Sequence, residues 1–466
     1  MPLSTIVHSG GAEITKRGVI MSDESATLLL GHARVEITPP LGVPMTGYAY
    51  RKDQGCTSID EPLFADACFL QQNDIRILLF TADLCLIDKK WGEGIRQSIS
   101  DKLGIPYSQV LIFASHTHFA PAVNRPVTDV HKAWRDRITE EMIATAVKAA
   151  ENPQPVTIST NTADISRIAF NRRPVRVDGT CCTSYRLPPP EDNLTFRAID
   201  PKQTVIRFDS ADGRPALLLV STPMHAVVGS GDDFAISPDY PGALRKAVES
   251  VYGVPMMFAA GTAGNVVPYK RGPGMRKIIG NYLAGAAIQA TEMAEPCGGQ
   301  LGIVREIVDL PTAQLLDEEA MEAKVQESQQ QWQKCEATGD SWAISRAAYA
   351  LQRAEILCRA AKRRGPSSSM PFEMSAIGFG QLGIVCLPGE IFAETGLYIQ
   401  ARSPFPHTLV LSLANHSTGY LVTRSALWEG GYECTSSSFS EESENYACQK
   451  AIEMLLQAWE KTRSCK

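Results

Sequence analysis

What most constrains this chain is a short apolar run that stops at a polar or glycine-rich turn, repeated along its length. Residues 75–80 (IRILLF) stop at Thr81-Ala82-Asp83, and residues 109–114 (QVLIFA) at Ser115-His116-Thr117-His118. Residues 215–220 (PALLLV) lead into Ser221-Thr222-Pro223-Met224-His225, and 255–260 (PMMFAA) into Gly261-Thr262-Ala263-Gly264-Asn265. Residues 382–387 (LGIVCL) precede Pro388-Gly389-Glu390, and 408–414 (TLVLSLA) precede Asn415-His416. Uninterrupted apolar runs of this length fit strands buried on both faces. Apolar residues at three- and four-residue spacing between them predict helices over 91–103, 132–151, 241–251, 275–295, 391–401 and 441–462. Strand and helix in alternation define an α/β protein, with a mixed β-sheet core and flanking helices.

Residues 317–364 are rich in Ala, Glu, Gln, Lys and Arg and break at Thr338-Gly339-Asp340, which predicts a helical hairpin inserted between strands. Residues 1–28 read as a flexible polar tail, and residues 29–466 as a single large catalytic domain without independent linkers. The Pro-, Arg- and Gly-rich stretch 171–195 predicts a long surface loop or lid.

With 44% hydrophobic and 21% charged residues over 466 positions, the chain is no disordered segment or coiled coil. A net charge of −6 argues against nucleic acid or an anionic membrane as partner, since both require a basic surface. No stretch reaches about 18 uninterrupted apolar residues, so no transmembrane segment is expected. Twelve cysteines, without a CxxC pair, are too sparse for a disulfide framework. The N-terminal residues lack the basic and apolar regions of a signal peptide. A cytoplasmic protein with reduced thiols and a small-molecule substrate is expected. A single sequence leaves the oligomeric state open.

The polar residues after the apolar runs share one place, the C-terminal end of a strand, where open α/β sheets bind ligands. His116-Thr117-His118 holds two of only eight histidines. In an extended segment both imidazoles would face one side, toward a metal ion or a substrate. The alternative is a hydrogen-bonded pair in a turn. His225 and Glu390 at further strand ends complete a His/His/carboxylate set, a zinc arrangement that leaves a position open for water. Such ligands also suit iron or manganese. Glu390 at the start of helix 391–401 would also favour that helix's dipole. Cysteine ligands are not expected.

Residues 31–48 (GHARVEITPPLGVPMTGY) and 113–121 (FASHTHFAP) resemble the start of the neutral/alkaline non-lysosomal ceramidases. Asn171-Arg172 resembles that family's Asn-Arg element, and Leu387-Pro388-Gly389-Glu390 its zinc-binding Pro-Gly-Glu. His225 follows a strand, as the family's second zinc histidine does. Residues 413–423 (LANHSTGYLVT) and Tyr432-Glu433 resemble its paired tyrosine elements, with Tyr420 and Tyr432 twelve positions apart. The resemblance covers about residues 29–440. It implies Zn(2+) held by His116, His225, Glu390 and Tyr420. It also implies that His118, Arg172 and Tyr432 surround the reacting carbonyl. Tyr432 would donate to the oxyanion, His118 would shuttle a proton or hold the carbonyl oxygen, and Arg172, with Arg173 as rival, would donate to substrate oxygens.

The implied activity is a ceramidase-like (N-acylsphingosine amidohydrolase type) hydrolysis of an amide or ester by a metal-activated water. Two departures shift the expected substrate. Val267 in Gly264-Asn265-Val266-Val267-Pro268-Tyr269 replaces the family's serine, and valine can neither donate nor accept a hydrogen bond. The signal sequence and C-terminal immunoglobulin-like domain of secreted members are also expected to be missing. A smaller polar or carbohydrate-type amide, ester or lactone is therefore expected. The alternatives are a catalytically altered metal-binding protein and a metal-dependent sugar-acid lyase or isomerase.

Overall fold

A computed structural model describes residues 27–463 apart from 49, 50, 52, 125, 339 and 340. The expected tail lies outside the described residues as far as position 26, and so does the Gly339-Asp340 break. Leu28 already belongs to the first strand, where it pairs with Val156.

The chain opens with β1 (Leu28–Glu36), β2 (Ser58–Ile59), β3 (Phe64–Gln72) and β4 (Ile75–Ala82). Helix α1 (Lys89–Leu103) returns it to β5 (Val110–Ala114), parallel to β4. Asp88 caps α1 by accepting from the Trp91 N–H, and left-handed Gly104 ends it. After α2 (Asp129–Ala149) come β6 (Gln154–Asp164), β7 (Ala169–Asn171), β8 (Lys202–Ser210) and β9 (Pro215–Thr222). Then β10 (Ala235–Ile236) and α3 (Tyr240–Tyr252) lead to β11 (Met256–Ala260), parallel to β9. Next are β12 (Val266–Pro268), α4 (Met275–Glu292), β13 (Glu295–Pro296) and β14 (Leu301–Leu315). The expected helical hairpin is α5 (Glu318–Thr338) and α6 (Ser341–Arg364). It is followed by β15 (Ser367–Phe379), β16 (Leu382–Cys386), β17 (Glu390–Ile391), α7 (Ala393–Gln400) and β18 (His407–Leu411), the last parallel to β16. Finally come β19 (Tyr420–Leu421), α8 (Arg424–Glu429), α9 (Tyr432–Thr435) and α10 (Ser443–Arg463).

Nine strands form one mixed sheet in the order β11-β9-β8-β6-β1-β3-β4-β5, with β13 added beside β6. Four form a second sheet, β14-β15-β16-β18. One face of the large sheet packs on α1–α4 through residues such as Ile95, Trp134, Leu244 and Leu283. Its other face meets the second sheet, with Leu79, Leu111 and Leu219 in one cluster with Ile377, Ile384 and Leu409. The outer face of the second sheet packs on α10, with Phe372, Met374 and Val385 against Met454 and Leu455. The layers therefore run helices, sheet, sheet, helices. Each fully buried Leu or Ile contributes about 1.5–3 kcal/mol, and both faces of both sheets collect it.

The two edge strands of the large sheet, β5 and β11, approach each other. Residues 412–415 lie between them: the Ser412 N–H donates to Ala260 O (3.0 Å) and the Asn415 N–H to Ile112 O (2.6 Å). This seam brings together the C-terminal ends of β5, β11 and the strand before Glu390. Among the described residues, no helix is long and apolar enough to cross a membrane.

Candidate metal centre

His116 follows β5 in a left-handed conformation, φ 66°. The His116-Thr117-His118 segment is thus a turn, not the extended stretch expected, and its imidazoles converge through that turn. Their Nε2 atoms are 3.4 Å apart. His116 Nδ1 donates to the Cys85 carbonyl (2.7 Å), which turns Nε2 toward Glu390 Oε2 at 3.2 Å. Gly47, at φ 97°, lies so close that a Cβ there would meet the His118 side chain at 2.6 Å, so only glycine suits the position.

His225 follows β9 and repeats the arrangement. Its Nδ1 donates to Ala263 O (2.5 Å), and its Nε2 lies 3.1 Å from the same Glu390 oxygen. Glu390 sits in β17, paired in register with Tyr420 of β19. This corrects the expected helix start: α7 begins at Ala393, and the acid in its first turn is Glu394. Gly389, at φ 95°, lets the two short strands approach, since a Cβ there would meet Gly419 O at 2.4 Å.

His116, His225 and Glu390 offer donor atoms that all lie within 4.8 Å of one another. Cys85, His116 and His118 also bring their donor atoms within 4.8 Å of one another, with Cys85 Sγ 3.9 Å from His116 Nδ1. The Cys85 carbonyl already occupies that nitrogen. Burial alone would raise Glu390, but His116 and His225 hold it well below the usual carboxylate range. Burial, with Arg172 beside it, lowers His225 to about 4. Burial alone would lower His116, but Glu390 and then Cys85 hold it well above the ordinary imidazole range, so a divalent cation bound by this set would displace its proton.

Arg172 is buried at the end of β7. Its Nε donates to Glu433 Oε1 (2.6 Å), and its Nη2 to Gly264 O and the Tyr420 hydroxyl (both 3.0 Å). Arg173, its rival, turns away: it donates to Glu433 Oε2 (2.6 Å) and Gly430 O (2.7 Å). Burial and then Glu390 push the Tyr420 phenol well above its ordinary range. The Tyr420 and Tyr432 rings meet edge to face at 5.9 Å. The hairpin supports this corner, with Arg353 donating to Cys434 O (2.7 Å) and Phe439 O (3.0 Å).

His118, Arg172, Tyr420 and Tyr432 line a cleft of about 830 Å³. Tyr185, Arg186 and Leu187 of the 171–195 segment form part of its wall. Burial, with His116 and His225 next, holds His118 well below the usual imidazole range. Val267 is fully buried behind the wall, against Phe170 and Val227. Glu433, Arg271 and Tyr48 were not singled out as site residues from sequence. Glu433 is matched to its arginines across 261 and 260 positions, and no local pattern marks such a pair.

Fold and site together define an α/β protein whose paired imidazoles and carboxylate can hold a metal ion beside a tyrosine-walled cleft. The family model for neutral/alkaline non-lysosomal ceramidase, N-terminal, matches residues 28–268. The chain belongs to this family. It is 25% identical over 181 residues to the neutral ceramidase of Mycobacterium tuberculosis, a match covering 36% of this chain and 27% of that one. The matched stretch thus spans about a quarter of the curated relative. The crystal structure of neutral ceramidase from Pseudomonas aeruginosa superposes with TM-score 0.70 at 19% identity, covering 94% of this chain and 75% of the other. A ceramidase complexed with C2 gives TM-score 0.71 at 18% identity, covering 94% and 76%. At these identities the structural likeness shows the fold.

Proposed function

We propose that this protein is a zinc-dependent hydrolase of amide or ester bonds, acting on a substrate smaller and more polar than ceramide. One observation carries it: two histidines, each fixed by a backbone carbonyl at Nδ1, present Nε2 to one ionised carboxylate. His116, His225 and Glu390 would hold the metal, with the Tyr420 hydroxyl beside Glu390. When bound, zinc supplies a Lewis acid for the scissile carbonyl and acidifies water.

The remaining roles fall to groups lining the cleft. His118 is neutral, and its buried Nδ1 has no protein partner among the described residues, which suits it to accept a proton and pass it to the leaving group. The Tyr432 hydroxyl donates to the developing oxyanion. Arg172 holds Tyr420 through Nη2 and lends positive charge to the same corner. Arg172, Arg186, Lys270 and Arg271 on the walls of this cleft of about 830 Å³ support a substrate with polar groups. The cysteines of the described residues are mostly buried, and the setting proposed for them is the reducing cytoplasm.

The test is metal analysis of the protein as purified and of His116→Ala, with turnover measured on a fluorescent ceramide and on short acyl amides. Expected are one zinc per chain, lost in the variant together with turnover, and preference for the short amides. Full metal retention by His116→Ala would remove that residue from the site, and robust turnover of ceramide alone would overturn the small substrate.

A further inference from the structure

We propose that the substrate of this cleft carries an acidic oxyanion, a carboxylate or a phosphate, received by Arg271. The proposal rests on the hydrolase reading and adds the substrate class. Among the described residues, Arg135 of α2 also has a buried Nε without a partner, but it lies outside the cleft, and the other buried arginines meet protein groups. Arg96, Arg173 and Arg245 each meet a carboxylate. Arg51 and Arg353 donate to backbone carbonyls. Arg271 lines the cleft, yet its Nε and Nη2 are buried with no protein hydrogen-bond partner. A guanidinium cannot shed its charge to escape that cost.

Nε and Nη2 form one edge of the guanidinium, the side that engages a carboxylate or phosphate with two parallel hydrogen bonds. On one side the guanidinium carbon lies over the Tyr185 ring, 5.7 Å from its centroid. Burial lowers its pKa from the ordinary range, a penalty that an incoming anion offsets. Asp239, the carboxylate that acts on it, is bonded to Arg276, and the charged side chains that line the cleft share its sign. Arg186 and Lys270 line the same cleft, and no Asp or Glu side chain does among the described residues. The Arg172 charge is already matched by Glu433. The chain as a whole is acidic, at −6, so this cationic wall is local to the site. A neutral amide would leave the Arg271 edge unanswered, whereas an amide whose amine half ends in an oxyanion would satisfy it.

The experiment compares three amides with one acyl chain: N-hexanoylglycine, N-hexanoyl-O-phosphoethanolamine and neutral N-hexanoylethanolamine. Turnover and calorimetric binding are measured on the zinc-loaded protein, Arg271→Gln and Arg271→Lys. At least one anionic amide is expected to exceed the neutral one about 10- to 100-fold in kcat/KM, as a charge-assisted pair supplies. Which one leads identifies the oxyanion. Arg271→Gln should collapse that ratio to about one, and Arg271→Lys should keep part of it. Equal kcat/KM for all three, or a preference that Arg271→Gln leaves intact, overturns the proposal while the hydrolase reading stands. If none is turned over, binding decides. Arg271-dependent binding of an anionic amide supports the proposal and counts against the hydrolase, and absence of such binding overturns the proposal.

Discussion

Two buried carboxylates in this molecule are each clamped by two arginines, and they do different jobs. Glu373 on β15 accepts from Arg96 Nη2 of α1 and Arg305 Nε of β14, both at 2.7 Å. Glu433 on α9 accepts from Arg172 and Arg173, both at 2.6 Å. The ion chemistry is the same, and a buried ion pair is by itself weak evidence for either stability or function. The spare donors make the difference. Arg96 gives its Nε to the Val110 carbonyl, which fixes α1 against the strand that ends before His116. Arg172 gives its Nη2 to the hydroxyl of Tyr420, a residue whose backbone pairs in register with Glu390. One clamp braces the layers, and the other reaches the candidate metal centre through a single side chain.

That contrast breaks most sharply at the two glutamates. Glu373→Gln and Glu433→Gln each strand buried guanidinium charge, and each should cost about 3–5 kcal/mol in urea denaturation. Only Glu433→Gln should also lower turnover per folded molecule, and equal losses of turnover would erase the division. The stability part has a pH signature. Burial would raise Glu373, but Arg96 and Arg305 hold it down to about 2. Its contribution is therefore complete above the ordinary carboxylate range and is lost as pH falls through about 2. Wild type and Glu373→Gln should converge in stability along that descent, and a constant gap would show that Glu373 is not the titrating group.

A somewhat smaller effect is expected at Arg172. Arg172→Lys keeps the charge but not the fork, so kcat should fall about 100-fold with zinc retained. Arg305→Lys should leave kcat near wild type, and the reverse pattern would exchange the roles of the two clamps. The smallest change is Tyr432→Phe, which removes one hydroxyl from a residue 42% exposed. About a tenfold loss in kcat, roughly 1.4 kcal/mol, without a change in stability is expected. An unchanged kcat would take Tyr432 out of the chemistry.

The apolar runs legible in the sequence became β4, β5, β9, β11, β16 and β18, the strands of the three parallel crossovers. Strands covered on both faces lose the polar alternation that would otherwise mark one side. His116, His225 and Glu390 all follow such strands, so the same signal pointed to them. The antiparallel strands were harder to read: β1 carries Arg34 and Glu36, and β14 carries Arg305, Glu306 and Asp309 among its apolar residues. The sequence also could not separate a strand packed on helices from one packed on a second sheet, because both bury the same residue types. The left-handed turn at His116 and the partners of Glu433 depend on tertiary contacts, and neither residue type announces them.

The seam at 412–415 also sets an order of assembly. The two edges it joins are complete by Ala260, yet the strip that fastens them and the carboxylate that faces both imidazoles come more than a hundred residues later. A nascent chain stalled before this point would display two unfastened strand borders and a pair of histidines without their acidic counterpart. During synthesis, closure of the sheet and completion of the candidate cation site therefore become a single late event.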